Sequence, residues 1–125
     1  MENNRFKIGL ENLNRIDGEA GERVIQSLEE IAPDIGRYIV EFAFGEIYAR
    51  ETLTLQEREI ITITSLLTQG DTHDQLHVHI NAALNVGITP EKIIEVFIQC
   101  IPYVGFPKVL NAVTASKEVF VARNK

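Results

Sequence analysis

Three apolar runs of helical period follow one another between residues 54 and 105, and each opens on a threonine: TLQERE, THDQLH and TPEKII. Thr54-x-x-Glu57 and Thr72-x-x-Gln75 have the spacing of capping boxes, in which a hydroxyl and an amide or acid side chain satisfy each other's backbone amides. Thr89-Pro90 sets a cap beside a proline at the first helical position, where the missing amide is no loss. Gly70 and Gly87 stand just past two of the runs, where a left-handed C-terminal cap falls. Punctuation of this kind commits the chain to short helices with tight links.

The remaining sequence reads the same way, with no convincing strand. Helices are expected over 4–16, 22–31 and 34–48, the third with Ile35, Tyr38, Ile39 and Phe42 as its apolar stripe. They are followed by helices over 55–69, from Thr72 to before Gly87, and from Pro90 to a break near IPYVGFP. Pro102 removes an interior hydrogen bond there, and a last helix covers 108–123. The expected fold is all-α, a bundle of six to seven helices forming a single domain over 1–125. That length suffices to bury a real core.

Two helices carry more apolar surface than one face can use. Ile60, Ile61, Ile63, Leu66 and Leu67 occupy most of one circumference, and IIEVFIQCI repeats the pattern from Ile93 to Ile101. A central helix would explain this, but in so short a chain a homo-oligomer is the economical reading. A formal net charge of −6 argues against nucleic acid as partner. No apolar run is long enough to span a membrane, and the first residues show no signal or transit pattern, so a cytoplasmic protein is expected.

The histidines, His73, His77 and His79, are the only three in the chain and lie within seven positions. His73 and His77 frame H-D-x-x-H, one methylene short of a zinc signature. At about 100° per residue, His77 falls roughly 75° to one side of the face centred on Leu76, Ile80 and Leu84, and His79 roughly 85° to the other. They cannot share one ion. His73 and His77 remain an i, i+4 pair with no third ligand evident and Asp74 a short reach for a base, so no metal site is expected. His79 borders Ala82, Ala83 and Val86, where small side chains leave room beside an imidazole.

Among the acids, Glu57 is accounted for by its capping box. Glu59 falls between Ile63 and Leu66 on the wheel, where partial burial would suit a carboxyl to proton transfer, although an acid near a helix start is also favoured by the dipole. Glu46 stands among Phe42, Phe44 and Tyr48 with Arg50 four residues on, either a surface ion pair or the wall of a pocket. The fork of Arg50 suits a substrate carboxylate.

Together FAFGEIYAR, LTLQEREIITITSLL, QLHVHINAALNVGITPEKIIEV and YVGFPKVLNAV resemble the carboxymuconolactone decarboxylase family in order and spacing, from about residue 9 to residue 120. The most specific pieces are His79 with Ala83, Leu84, Asn85 and Gly87, and the Y-x-G-F-P of Tyr103 to Pro107. The resemblance implies an alkylhydroperoxidase-like all-α fold and a ring-like homo-oligomer, commonly a trimer of dimers. It also implies cofactor-free release of carbon dioxide from a small carboxylated lactone in aromatic-acid breakdown. His79 matches the family's histidine and is expected to be the acid or enolate stabiliser. Glu46 and Arg50 match the G-E-x-x-x-R segment, implying orientation of the imidazole and carboxylate binding. Arg58, Glu59 and Tyr103 are further candidates for substrate binding.

A second branch of the family, with alkylhydroperoxidase or peroxiredoxin-like antioxidant activity, uses a C-x-x-C pair shortly before the histidine. The corresponding stretch, GDTHDQLHVH, has no cysteine, and Cys100 is the only one in the chain. A non-catalytic oligomer that binds small acids is the third reading. Pro102 departs from the family pattern at the edge of the Y-x-G-F-P segment.

Overall fold

The computed structural model describes residues 4–124, and all regular structure among them is helical. They fall into two compact units that divide between Leu55 and Gln56.

In the first unit, α1 (Asn4–Ile16) and α2 (Gly18–Leu28) meet at a single turn residue, Asp17. The sequence places the second helix over 22–31; the structure starts it earlier and ends it sooner. Gly18 takes φ 59°, a conformation open to glycine, so the chain reverses at once and residues 18–21 are absorbed into α2. Gly21 lies so close to Asp17 and Leu13 that a Cβ there would be 2.7 Å from the Asp17 Cβ.

The third helix is also different from the expectation. α3 (Pro33–Tyr38) passes without a break into a π-helical segment (Ile39–Ile47), whose wider turn ends with the Tyr48 amide donating to the Ala43 carbonyl five residues back at 2.8 Å. The buried face differs as well. Gly36, Val40, Phe44 and Gly45 are buried, whereas Ile35, Tyr38 and Phe42 of the expected stripe are exposed. Two glycines hold this segment against α1: a Cβ on Gly9 would overlap the Val40 carbonyl oxygen, and one on Gly45 the Arg5 carbonyl oxygen. Asn12 donates to the Phe44 carbonyl at 2.8 Å, satisfying an acceptor in the widened ladder. Leu13, Ile16, Val40 and Phe44 are the buried apolar residues of this unit.

The second unit comprises α4 (Leu55–Gln69), α5 (His73–Asn85), α6 (Pro90–Val104) and α7 (Phe106–Arg123). Its core runs through all four: Ile63 and Leu67 from α4, Leu76 and Ile80 from α5, Ile93 and Phe97 from α6, Val109 and Ala112 from α7. Truncating a wholly buried phenylalanine such as Phe97 costs about 3–5 kcal/mol. The crowded apolar helices divide accordingly. Ile63 and Leu67 are buried and Ile60 and Leu66 half-buried, while Ile61 and Ile98 are exposed.

Helix ends show which sequence signals were used. The Lys92 amide donates to the Thr89 hydroxyl at 3.2 Å, with Pro90 opening α6. Gly70 takes φ 74° after α4 and is followed by Asp71 at φ 55°. The expected box at Thr72 is not formed: its side chain makes no cap bond to α5, and its hydroxyl donates to the Leu66 carbonyl at 2.6 Å. Lys108 Nζ donates to the Thr68 carbonyl at 3.0 Å. Both side chains donate to carbonyls at the end of α4, the Leu66 carbonyl also accepting from the Gly70 amide at 3.4 Å. Pro102 lies within α6, which continues to Val104 and stops at Gly105, φ 95°. α7 then starts at Phe106, two residues before the expected position. Among the described residues no helix is long and apolar enough to cross a membrane.

Candidate active site

α5 carries His79 on the flank of its buried face, as the wheel expects: Leu76 and Ile80 go into the core and the His79 side chain keeps 19% of its surface. α4 points Glu59 inward one turn before Ile63. This carboxylate is 0% exposed, and its Oε1 lies 3.1 Å from His79 Nδ1. Burying a carboxylate is costly unless it is paired and hydrogen-bonded, and the imidazole supplies that partner across 20 residues of sequence. A carboxylate at Nδ1 holds the ring's orientation, places a proton on that nitrogen and favours the charged ring. The pair can therefore present a positioned acid at Nε2.

The other candidates are distributed between the units. Arg58 is half-buried on α4 next to Glu59, and its carbonyl accepts from the Thr62 hydroxyl at 2.8 Å. Tyr103 is 81% exposed near the end of α6. Glu46 and Arg50 belong to the first unit. Glu46 Oε1 accepts from Arg5 Nη1 at 3.0 Å, a pairing that the G-E-x-x-x-R spacing does not announce, and Arg50 is exposed beyond the π-helical segment. The acid found at His79 Nδ1 is thus Glu59, whereas the resemblance assigns orientation of the ring to Glu46.

His73 and His77 sit on the other flank of α5, partly exposed near its start. Glu118 of α7 brings its Oε1 to 2.6 Å from His77 Nε2 and 3.0 Å from His73 Nε2. The hydrogen bond to His77 is the main influence holding the Glu118 carboxyl below its ordinary range. The sequence reading missed this third group because it lies 41 residues from His77, with no local signal in ASKEVF. Near the same helix pair, Arg123 Nη1 donates to Asn81 Oδ1 at 3.0 Å and Asn85 Oδ1 at 3.1 Å, tying the end of α7 to α5.

An all-helical fold with a buried carboxylate set against a largely buried imidazole is the class these observations define. The chain belongs to the carboxymuconolactone decarboxylase family, whose defining pattern matches residues 33–118. It is 33% identical over 117 residues to the 4-carboxymuconolactone decarboxylase of Acinetobacter baylyi, covering 93% of this chain and 87% of that protein. It is 34% identical over 86 residues to Peroxisomal protein 2 of Saccharomyces cerevisiae, covering 68% of this chain and only 30% of the yeast protein. An uncharacterized 15.0 kDa protein of Paracoccus denitrificans is 26% identical over 102 residues, 81% of this chain and 76% of the other.

Proposed function

We propose that this chain is a cofactor-independent decarboxylase of a small carboxylated lactone, with His79 as the proton donor and Glu59 as the residue that positions and charges it. The observation that carries the reading is the wholly buried Glu59 carboxylate 3.1 Å from His79 Nδ1. The name of the Acinetobacter relative supplies the substrate to try, 4-carboxymuconolactone.

In the proposed step the carbon–carbon bond to the departing carboxylate breaks and carbon dioxide leaves. The bond's electron pair passes into the conjugated lactone, so charge develops on its carbonyl oxygen. A hydrogen bond from His79 Nε2–H stabilises that enolate, and the same proton then moves to carbon. The ring, neutral after transfer, regains a proton from solvent. Glu59 keeps the ring oriented throughout by its contact with Nδ1. The lactone accepts the electrons itself, so the reaction calls on no cofactor.

Arg58 and Tyr103 are proposed substrate-binding residues of the second unit and Arg50 of the first, with Glu46 retained as a catalytic candidate on the resemblance. Their alanine variants should raise KM where they bind substrate and lower kcat where they act in the step. The exposed apolar side chains Ile61, Ile98, Phe106 and Leu110 support a homo-oligomer, for which we adopt the family's trimer of dimers. We adopt a cytoplasmic location with it.

Thiol-based peroxide reduction is not favoured. A disulfide relay needs two thiols, and the sole cysteine of the sequence, Cys100, is buried. The test of the proposal is turnover of 4-carboxymuconolactone, followed by loss of its ultraviolet absorption. Wild-type protein should consume the lactone and Arg50→Ala should do so with raised KM. Small-acid binding by wild-type protein without turnover would instead support a non-catalytic oligomer.

A further inference from the structure

We infer that His73, His77 and Glu118 form a binding site for a divalent transition metal of the zinc type, which clamps α5 to α7 on the flank of α5 away from His79. The inference is independent of the lactone chemistry.

The donor set carries the argument. The ligand atoms of the three side chains all lie within 4.8 Å of one another, and both imidazoles turn Nε2 toward the same carboxylate oxygen. A tetrahedral ion with bonds near 2.0–2.1 Å needs its donors about 3.3 Å apart, so small side-chain rotations suffice. His73 and His77 are i, i+4 neighbours within the first two turns of α5, with ring centroids 4.9 Å apart. That spacing lets one rigid helix supply two ligands, as two histidines do in helical zinc sites. Two imidazoles and one carboxylate are a borderline donor set, suited to zinc, cobalt or nickel and poorly matched to magnesium or calcium, which take all-oxygen shells.

The surroundings allow entry. All three side chains are partly exposed, and His73 also lines a cleft of about 240 Å³ with Asp71, Lys108 and Asn111. An ion can therefore arrive from solvent, and water can complete a three-ligand shell. Position on the helix excludes a shared role with His79. His77 and His79 are two residues apart, about 200° around α5, and His79 Nδ1 is engaged by Glu59. The ion is accordingly a structural clamp: it would fix the first turns of α5 to α7 at the exposed edge where Glu118 meets both rings.

The test is calorimetric titration of full-length protein, free of any affinity tag and stripped with chelator, with zinc chloride. It is run alongside visible absorption of the cobalt-loaded form and thermal unfolding with and without zinc. One equivalent per chain should bind, raise Tm and give the intense absorption of tetrahedral cobalt, with no comparable response to magnesium. His73→Gln, His77→Gln and Glu118→Gln should each weaken zinc at least about tenfold while keeping the helical circular dichroism of the parent. His79→Gln should bind zinc as tightly as wild type. No saturable zinc binding, or binding untouched by all three ligand substitutions, would overturn the site; binding lost in His79→Gln but kept in His73→Gln would move it elsewhere and overturn it equally.

Discussion

Replacing Glu59 by glutamine removes one charge and little else, because the amide has the carboxylate's shape and can still offer an acceptor to His79 Nδ1. In the parent that acceptor is an ionised oxygen at 3.1 Å in a wholly buried position. Hydrogen bonds to charged groups contribute about 1.5–3 kcal/mol, against about 0.5–1.5 kcal/mol for neutral ones. The charged form of the ring therefore loses about 1–2 kcal/mol of stabilisation in Glu59→Gln. The ring is then held by a weaker partner and its developing charge is less well supported. At neutral pH kcat should fall about 5–30-fold, with KM nearly unchanged, since Glu59 acts through His79 and not on substrate. Steady-state decarboxylation at neutral pH reads both constants. An unchanged kcat, or a loss confined to KM, would refute the role given to Glu59.

Other outcomes follow from the same structure. Gly9→Ala drives a methyl into the Val40 carbonyl oxygen, backbone that cannot rotate away, so urea denaturation should show a loss of at least about 2 kcal/mol; a change within about 0.5 kcal/mol would contradict the close approach of α1 and the π-helical segment. Thr89→Ala removes the acceptor for the Lys92 amide and should cost about 1 kcal/mol by the same assay, whereas Thr72→Ala removes no cap bond from α5 and should weaken the end of α4, seen as faster amide exchange at 66–70. Glu118 is held below its ordinary carboxyl pKa of 4.5 mainly by His77, so its stabilisation is present above that pH and lost as pH falls through the lowered value. The urea midpoints of wild type and Glu118→Gln, measured without metal, should therefore converge between pH 6 and pH 3; a constant gap would contradict the pairing.

Legibility in the sequence tracked how local the cause was. Thr89-Pro90 marks the start of α6 because cap and proline act within four residues, and α1 and α4 have the expected bounds. The π-helical segment was not legible, because its contacts with Gly9 and Asn12 come from another helix, and the apolar stripe expected at Ile35, Tyr38 and Phe42 is exposed. Thr72 carried a correct capping motif, yet its hydroxyl serves Leu66 because the α4 carbonyl is close enough to compete. At the candidate site, helical geometry alone separated His79 from His73 and His77 and marked Glu59 as an acid on an apolar flank. What it could not provide was pairing across the fold. Glu59 lies 20 residues from His79, and Arg5 from Glu46 and Glu118 from His77 each 41, and no periodicity encodes which of these side chains meet.

The central claim is that His79 donates the proton that replaces departing carbon dioxide. It is tested most directly by measuring carbon dioxide released from carboxyl-labelled 4-carboxymuconolactone by extensively dialysed wild-type protein and by His79→Gln. The glutamine amide can still donate to Glu59, so assembly and circular dichroism should be retained. Wild type should release one carbon dioxide per lactone consumed, and His79→Gln should fall to the uncatalysed rate. No release by wild type, or equal release by His79→Gln, would contradict the account.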